Sequence, residues 1–303
     1  MHLGVSGGLL KTGRRARQIG ATALQIFSDN PTAWRRRSEP PADADAFATY
    51  CVREGIAPVV IHASYLINLA GSAEPFARQS VAGLLHELQR APAYGASMVN
   101  THIGSHRGEG TDVGLQQIAS RVGFVLAEAP RGVRLVLENS AGGGDTLGST
   151  LEELARILDL VPSAAADQLG FCLDTAHLWG AGYDISTAEG VEAVLDRFDA
   201  LIGLERLALI HLNDSKSALG SRHDRHEHLG AGNIGPAGLA AFLRDPRLPG
   251  RTALVMETPG VDEGFDAVNL RRSWLLHRGE GSLPVLPPRA FRTSRAASRE
   301  VRG

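Results

Sequence analysis

Lysine is almost missing from this 303-residue chain, where Lys11 and Lys216 are the only lysines beside a large complement of arginine. The formal net charge is -2, so the chain lacks the bulk positive charge of a protein that holds nucleic acid by electrostatics alone. Cysteine is as scarce. Cys51 and Cys172 are too few for a disulfide framework and form no CxxC pair, so both are read as small buried apolar residues. No apolar run approaches the roughly 20 residues of a membrane helix. The opening MHLGVSGGLL also lacks a basic region followed by a long apolar stretch. These absences predict a protein that neither spans a membrane nor is secreted, working in the cytoplasm.

The chain does contain a balanced globular composition, 43% hydrophobic and 21% charged. Short apolar or β-branched runs recur along it: HLGVS, ALQIFS, PVVIHAS, MVNTHI, RLVLENS, GFCLDTAH, LALIHLND and ALVMET. Between them stand segments of helical period, such as FARQSVAGLLHELQRA and STLEELARILDLV, the latter preceded by a capping signal at Ser149-Thr150. Strands alternating with helices predict an α/β fold, a (β/α)8 TIM barrel, with an open doubly wound sheet as the alternative. The barrel is favoured because a histidine or carboxylate stands at or near the C-terminal end of successive runs: His62, His102, Glu138, Asp174, His211 and Glu257. In a barrel those ends converge on one face. Residues 1–281 are read as one barrel domain, and 282–303, rich in proline, serine and arginine, as a disordered tail.

Glu138, His211 and Glu257 each interrupt an apolar strand, and a buried carboxylate requires a partner. Metal ions supply one. Adding His62, His102, Asp174, His177, Asp224 and His226 gives nine candidate ligands, enough for about three ions at three protein ligands each. Imidazoles mixed with carboxylates, without thiolates, suit zinc first, with manganese or iron as alternatives. Asp224 and His226 lie two apart in SRHDRHEHLGAGNIG, so an extended loop turns both the same way. Neither neighbouring histidine, His223 or His228, is expected to be a primary ligand.

The motifs HASYLINL, NTHIGSH, LENSAGGG, CLDTAHLWGAGYD, HLNDSK and DRHEHLGAGNIG together resemble endonuclease IV, from about Ala21 to Glu257. The resemblance implies a (β/α)8 barrel with three zinc ions. It assigns His62, His102 and Glu138 to one, Glu138, Asp174, His211 and Glu257 to a second, and His177, Asp224 and His226 to a third, with manganese possible at one position. It further implies hydrolysis of the phosphodiester 5′ to an abasic site in damaged double-stranded DNA by a monomeric repair enzyme. The products are a 3′-hydroxyl and a 5′-deoxyribose phosphate, and cleaning of blocked 3′ ends is expected as well. Glu138 and Glu257 are the catalytic carboxylates in this reading, with Glu257 orienting the nucleophile. Tyr65 and Leu66 match positions that enter the duplex, while Lys216, Arg222 and Arg225 are candidate phosphate contacts.

The chain departs from that pattern at Thr32, where an arginine is usual, although Arg35, Arg36 and Arg37 follow. The segment before Gly7-Gly8 is also shorter, which predicts an altered first strand. Two other functions fit parts of the sequence. A sugar isomerase or epimerase of the xylose isomerase-like barrels would use Glu138, Asp174, His177, His211 and Glu257 around one metal, leaving His62, His102, Asp224 and His226 without purpose. A lesion-binding protein that does not cut would keep the fold and the metals without turnover.

Overall fold

The computed structural model describes residues 1–291. Helix α1 (Leu9–Ile19) leads into β1 (Leu24–Phe27), and α2 (Ala44–Arg53), β2 (Val59–His62), α3 (Phe76–Arg90), β3 (Ala96–His102), α4 (Thr111–Ala127) and β4 (Arg134–Glu138) continue the alternation. Then follow α5 (Leu151–Leu160), the single turn α6 (Ser163–Ala166), β5 (Leu169–Asp174), α7 (Thr175–Ala181), α8 (Ala188–Leu201) and β6 (Leu207–His211). A two-stranded antiparallel insertion, β7 (Asp214–Ser215) with β8 (His226–Glu227), precedes α9 (Gly235–Arg244), β9 (Ala253–Val255) and α10 (Phe265–Arg278). Helix α5 starts at the predicted cap: Thr150 Oγ1 accepts from Glu153 N, and the Glu153 carboxylate accepts from Thr150 N in return.

Seven strands pair in parallel, in the order β1-β2-β3-β4-β5-β6-β9. The eighth stave is not a full strand. Met1, His2 and Leu3 fill the gap: His2 N donates to Met256 O at 2.9 Å, Leu3 N donates to Gln25 O at 3.0 Å, and Gln25 N donates to Met1 O at 2.9 Å. The run HLGVS, expected as a strand, is thus reduced to one bridge between His2 and Gln25. Gly8 N already turns back to Val5 O, so the backbone leaves the sheet for α1 within a few residues. The chain is a TIM barrel closed by its N-terminal segment.

The barrel interior explains why the polar residues share one level. Side chains two apart on a strand face the same way. Val60, Met98, Val136, Cys172, Leu209 and Val255 form a buried apolar plug inside the barrel. Two residues further along, the same inward face carries His62, Asn100, Glu138, Asp174, His211 and Glu257. The polar layer therefore stands directly above an apolar floor, at the C-terminal ends of the strands. Burial pushes the Cys172 thiol up to about 12, as suits an inert packing residue.

Part of the segment read as a disordered tail is packed. Leu286 and Ala290 bury against Phe265 of α10, Arg272 Nη1 donates to Pro284 O at 2.5 Å, and His228 Nε2 donates to Ala290 O at 3.0 Å. Composition concealed this because a few apolar anchors suffice when their partners lie on another helix. Residues 292–303 of that expected tail lie outside the described residues. Among the described residues no helix is long and apolar enough to cross a membrane.

Candidate metal centre

The nine predicted ligands converge at the barrel mouth. His62, His102 and Glu138 offer donor atoms within 4.8 Å of one another, as do Glu138, Asp174, His211 and Glu257, and also Asp174, His177 and His226. Asp224 joins the last group, its Oδ2 lying 3.2 Å from His177 Nε2 and its Oδ1 3.1 Å from His226 Nε2. Glu138 is shared by the first two of these groups, and Asp174, which the family resemblance assigned to one, is shared by the last two. A group of Glu138, Cys172 and His211 also satisfies the distances. Its thiol is raised by burial and belongs to the apolar floor just beneath His211.

Second contacts aim the imidazoles. His62 Nδ1 donates to Ala63 O at 2.7 Å, His177 Nδ1 to Asn139 O at 2.9 Å, and His226 Nδ1 to Glu257 O at 3.1 Å. Each bond fixes the tautomer and leaves Nε2 turned toward the carboxylates. His211 is oriented the other way round: its Nε2 donates to Gln25 Oε1 at 2.9 Å, and its Nδ1 faces Glu138 Oε1 at 3.2 Å and Glu257 Oε2 at 3.4 Å. The carboxylates are held equally firmly. Asn100 Nδ2 donates to Glu138 Oε2 at 2.5 Å, Asn213 Nδ2 to Asp174 Oδ2 at 2.7 Å, and Gln25 Nε2 to Glu257 Oε1 at 2.7 Å.

Four supporting residues were passed over in the sequence: His2, Gln25, Asn100 and Asn213. Gln25 and Asn100 left a readable signal, as polar residues at inward positions of apolar strands. His2 left none, because its place beside Glu257 Oε1, at 2.7 Å, depends on barrel closure.

The electrostatics are those of a cation site. Burial works to raise Glu138, but His211, His102 and His62 outweigh it and hold the carboxyl well below the ordinary range. Burial likewise opposes the charge on His177 and His211, yet Asp174 and Asp224 push His177, and Cys172, Glu257 and Glu138 push His211, well above an ordinary imidazole. Against burial, Asp224 and Asp174 push His226 up to about 10. Protons thus balance the carboxylates wherever a cation does not. The fit to a metal is tested most directly by His226 Nε2, which is buried and finds no hydrogen-bond partner although two carboxylates lie close. An orphaned buried nitrogen facing acidic oxygens is a ligand in waiting. The two neighbouring histidines of the same loop lie elsewhere: His228 bonds to Ala290 O and Asn269, and His223 is exposed.

A cavity of about 530 Å³ opens onto the centre, lined by His102, Glu138, His177 and Asp224 at its floor and by Trp34, Tyr65, Phe76, Arg107 and Arg222 toward its rim. Tyr65 is exposed there and Leu66 half-buried. Lys216 Nζ lies 3.9 Å from Glu227 Oε2, and Arg225 is exposed on the approach to β8.

Fold and site together define a xylose isomerase-like barrel with a histidine and carboxylate cluster at its mouth, and residues 14–275 match the family of that description. A "Probable endonuclease 4" of Chloroflexus aurantiacus is 40% identical over 271 residues, covering 89% of this chain and 94% of that protein. Its counterpart in Natranaerobius thermophilus is 41% identical over the same shares. The crystal structure of endonuclease IV from Thermus thermophilus superposes with a TM-score of 0.80 at 38% identity, covering 92% of this chain and 98% of that one. The chain belongs to the endonuclease IV family. A D-tagatose 3-epimerase-like protein, 17% identical with a TM-score of 0.65, shares the fold.

Proposed function

We propose that this chain is a zinc-dependent endonuclease that hydrolyses DNA on the 5′ side of abasic sites. It leaves a 3′-hydroxyl and a 5′-deoxyribose phosphate, and removes blocking groups from 3′ ends by the same chemistry. The observation that carries the reading is the presence of all nine ligands, in overlapping groups, with their Nε2 or Nδ1 atoms turned inward by second contacts. His62, His102 and Glu138 would hold one ion, Glu138, Asp174, His211 and Glu257 a second, and His177, Asp224 and His226 a third. Zinc suits this donor set, and manganese is compatible at one position.

Bound ions would lower the pKa of a coordinated water toward neutrality and neutralise charge on the phosphate. The rest falls to the chain's own residues. Glu138 joins the groups, so it fixes their spacing. Glu257, held by His2 and Gln25 at one oxygen, keeps the other for orienting the nucleophilic water. Exposed Tyr65, with Leu66 beside it, is the wedge that replaces lost stacking at the lesion. Arg222 at the rim contacts phosphate, with Lys216 and Arg225 further out on the same loop.

The deciding experiment measures metal content together with nicking of a duplex containing one tetrahydrofuran site. About three zinc ions per chain with nicking is the expected outcome. One metal per chain with sugar isomerisation would overturn the reading in favour of an isomerase or epimerase. Tight lesion binding without cleavage would leave a binding protein instead.

A further inference from the structure

We infer that Arg107 is an anchor for a DNA phosphate outside the metal cluster, acting with Arg222 of the same cavity; this rests on the nuclease reading above. Arg107 and Arg222 are the only non-glycine residues of left-handed backbone among the described residues, with φ of 47° and 60°. Such a conformation is disfavoured for an L-residue and persists where its surroundings impose it. Both line the same cavity above His102, Glu138, His177 and Asp224. Neither guanidinium forms an ion pair or a hydrogen bond among the described residues, unlike Arg121 nearby, whose Nη1 donates to Leu69 O and Gly71 O. Two unpaired guanidiniums at the entrance to a site built for a phosphodiester select an anion, and the fork of an arginine matches phosphate oxygens.

The loop that presents Arg107 is fastened on both sides. Asn68 Oδ1 accepts from Ser105 N, Ala70 N and Gly71 N at 3.0, 3.0 and 3.2 Å, and its Nδ2 donates to Ser105 O at 2.9 Å. Gly104 is obligatory beneath it, since a Cβ there would meet Asn68 Oδ1 at 2.2 Å. On the other side Ser105 bridges Thr146, and His106 N donates to Asp145 O at 3.1 Å. Asn68 therefore couples the segment carrying Tyr65 and Leu66 to the turn carrying Arg107. The wedge and the anchor are placed relative to each other before DNA arrives, which lowers the ordering cost of binding.

The test uses the zinc-loaded enzyme, its R107G and R107K variants, and a duplex with one tetrahydrofuran site, titrated over a range of salt concentrations. Glycine suits the left-handed backbone, so R107G removes the guanidinium without adding strain. We expect R107G to raise Kd on the order of tenfold and to lower the slope of log Kd against log salt by about one, the value for one lost phosphate contact. R107K, which keeps the charge, restores the slope. A wild-type slope in R107G overturns the inference while leaving the nuclease reading intact. If the wild-type enzyme binds no abasic duplex at all, both fall together.

Discussion

Gln25 joins His211 to Glu257, accepting from His211 Nε2 at 2.9 Å through its oxygen and donating to Glu257 Oε1 at 2.7 Å through its nitrogen. One neutral amide thus sets the tautomer of an imidazole and the rotamer of a carboxylate on two different segments of the barrel. Gln25→Leu, which keeps the volume but neither bond, should weaken metal binding at the Glu138, Asp174, His211 and Glu257 group by about 10- to 100-fold. Competition with a chromogenic chelator reads this directly. An affinity equal to wild type would mean that packing alone holds the two ligands.

Glu257→Gln is nearly isosteric and retains an oxygen to accept from His2 and Gln25. We expect the thermal midpoint to stay close to wild type while cleavage of abasic duplex is lost. Unchanged turnover would remove Glu257 from the mechanism.

Metal removal should cost both activity and stability, because Glu138 and Asp174 are buried together and the cation balances them. Chelation is expected to lower the thermal midpoint by several degrees, an effect on the order of a few kcal/mol. His177 and His211 hold protons well above the ordinary imidazole range in the metal-free centre, so uptake must expel them. Metal affinity therefore falls as pH falls, and calorimetry in buffers of different ionisation enthalpy should register net proton release. Uptake without released protons would contradict this.

Tyr65→Ala should leave metal content unchanged, since Tyr65 packs beside His62 and His102 without being a ligand in the proposed set. Affinity for abasic duplex should drop by roughly 1–3 kcal/mol, as for removal of one stacking aromatic. Equal loss of affinity for undamaged duplex would argue against a role at the lesion.

Glu87 gives a pH signature of its own. Burial pushes its carboxyl up to about 7 from an ordinary 4.5, although Ser28 donates to it and Arg36 stands nearby. The unfolded chain releases this proton at lower pH than the folded one, so the folded state loses stability as pH rises from about 4.5 to 7, with no further loss above that. The span is at most roughly 3 kcal/mol. Glu87→Gln should flatten that part of the stability profile, measured by denaturant unfolding across pH. A profile parallel to wild type would show that Glu87 is ionised in the fold throughout.

Most of the site was legible because its residues break a pattern. Glu138 in RLVLENS and His211 in LALIHLND are polar intrusions in strands whose neighbours are apolar, and period-two geometry turns them onto the same inward face. Gln25 breaks ALQIFS in the same way and was readable too. Asp224 and His226 were harder, since a charged loop has no period. Their placement rested on a two-residue spacing and on motif resemblance until the loop was seen folded over His177.

The alternation of strands and helices, the inward period of the candidate ligands and the family all follow from the chain's local patterns and the order of its motifs. How the barrel closes does not, since Met1 to Leu3 become its last stave through backbone bonds to residues far away in the chain. Folding in three dimensions also paired His2 with Glu257, brought Asp174 into two groups, packed Leu286 and Ala290 onto α10, and brought Arg107 and Arg222 to the same cavity. Those relationships join segments that share no local pattern, and a side chain's partner across a barrel is specified by register and curvature, which no single segment contains.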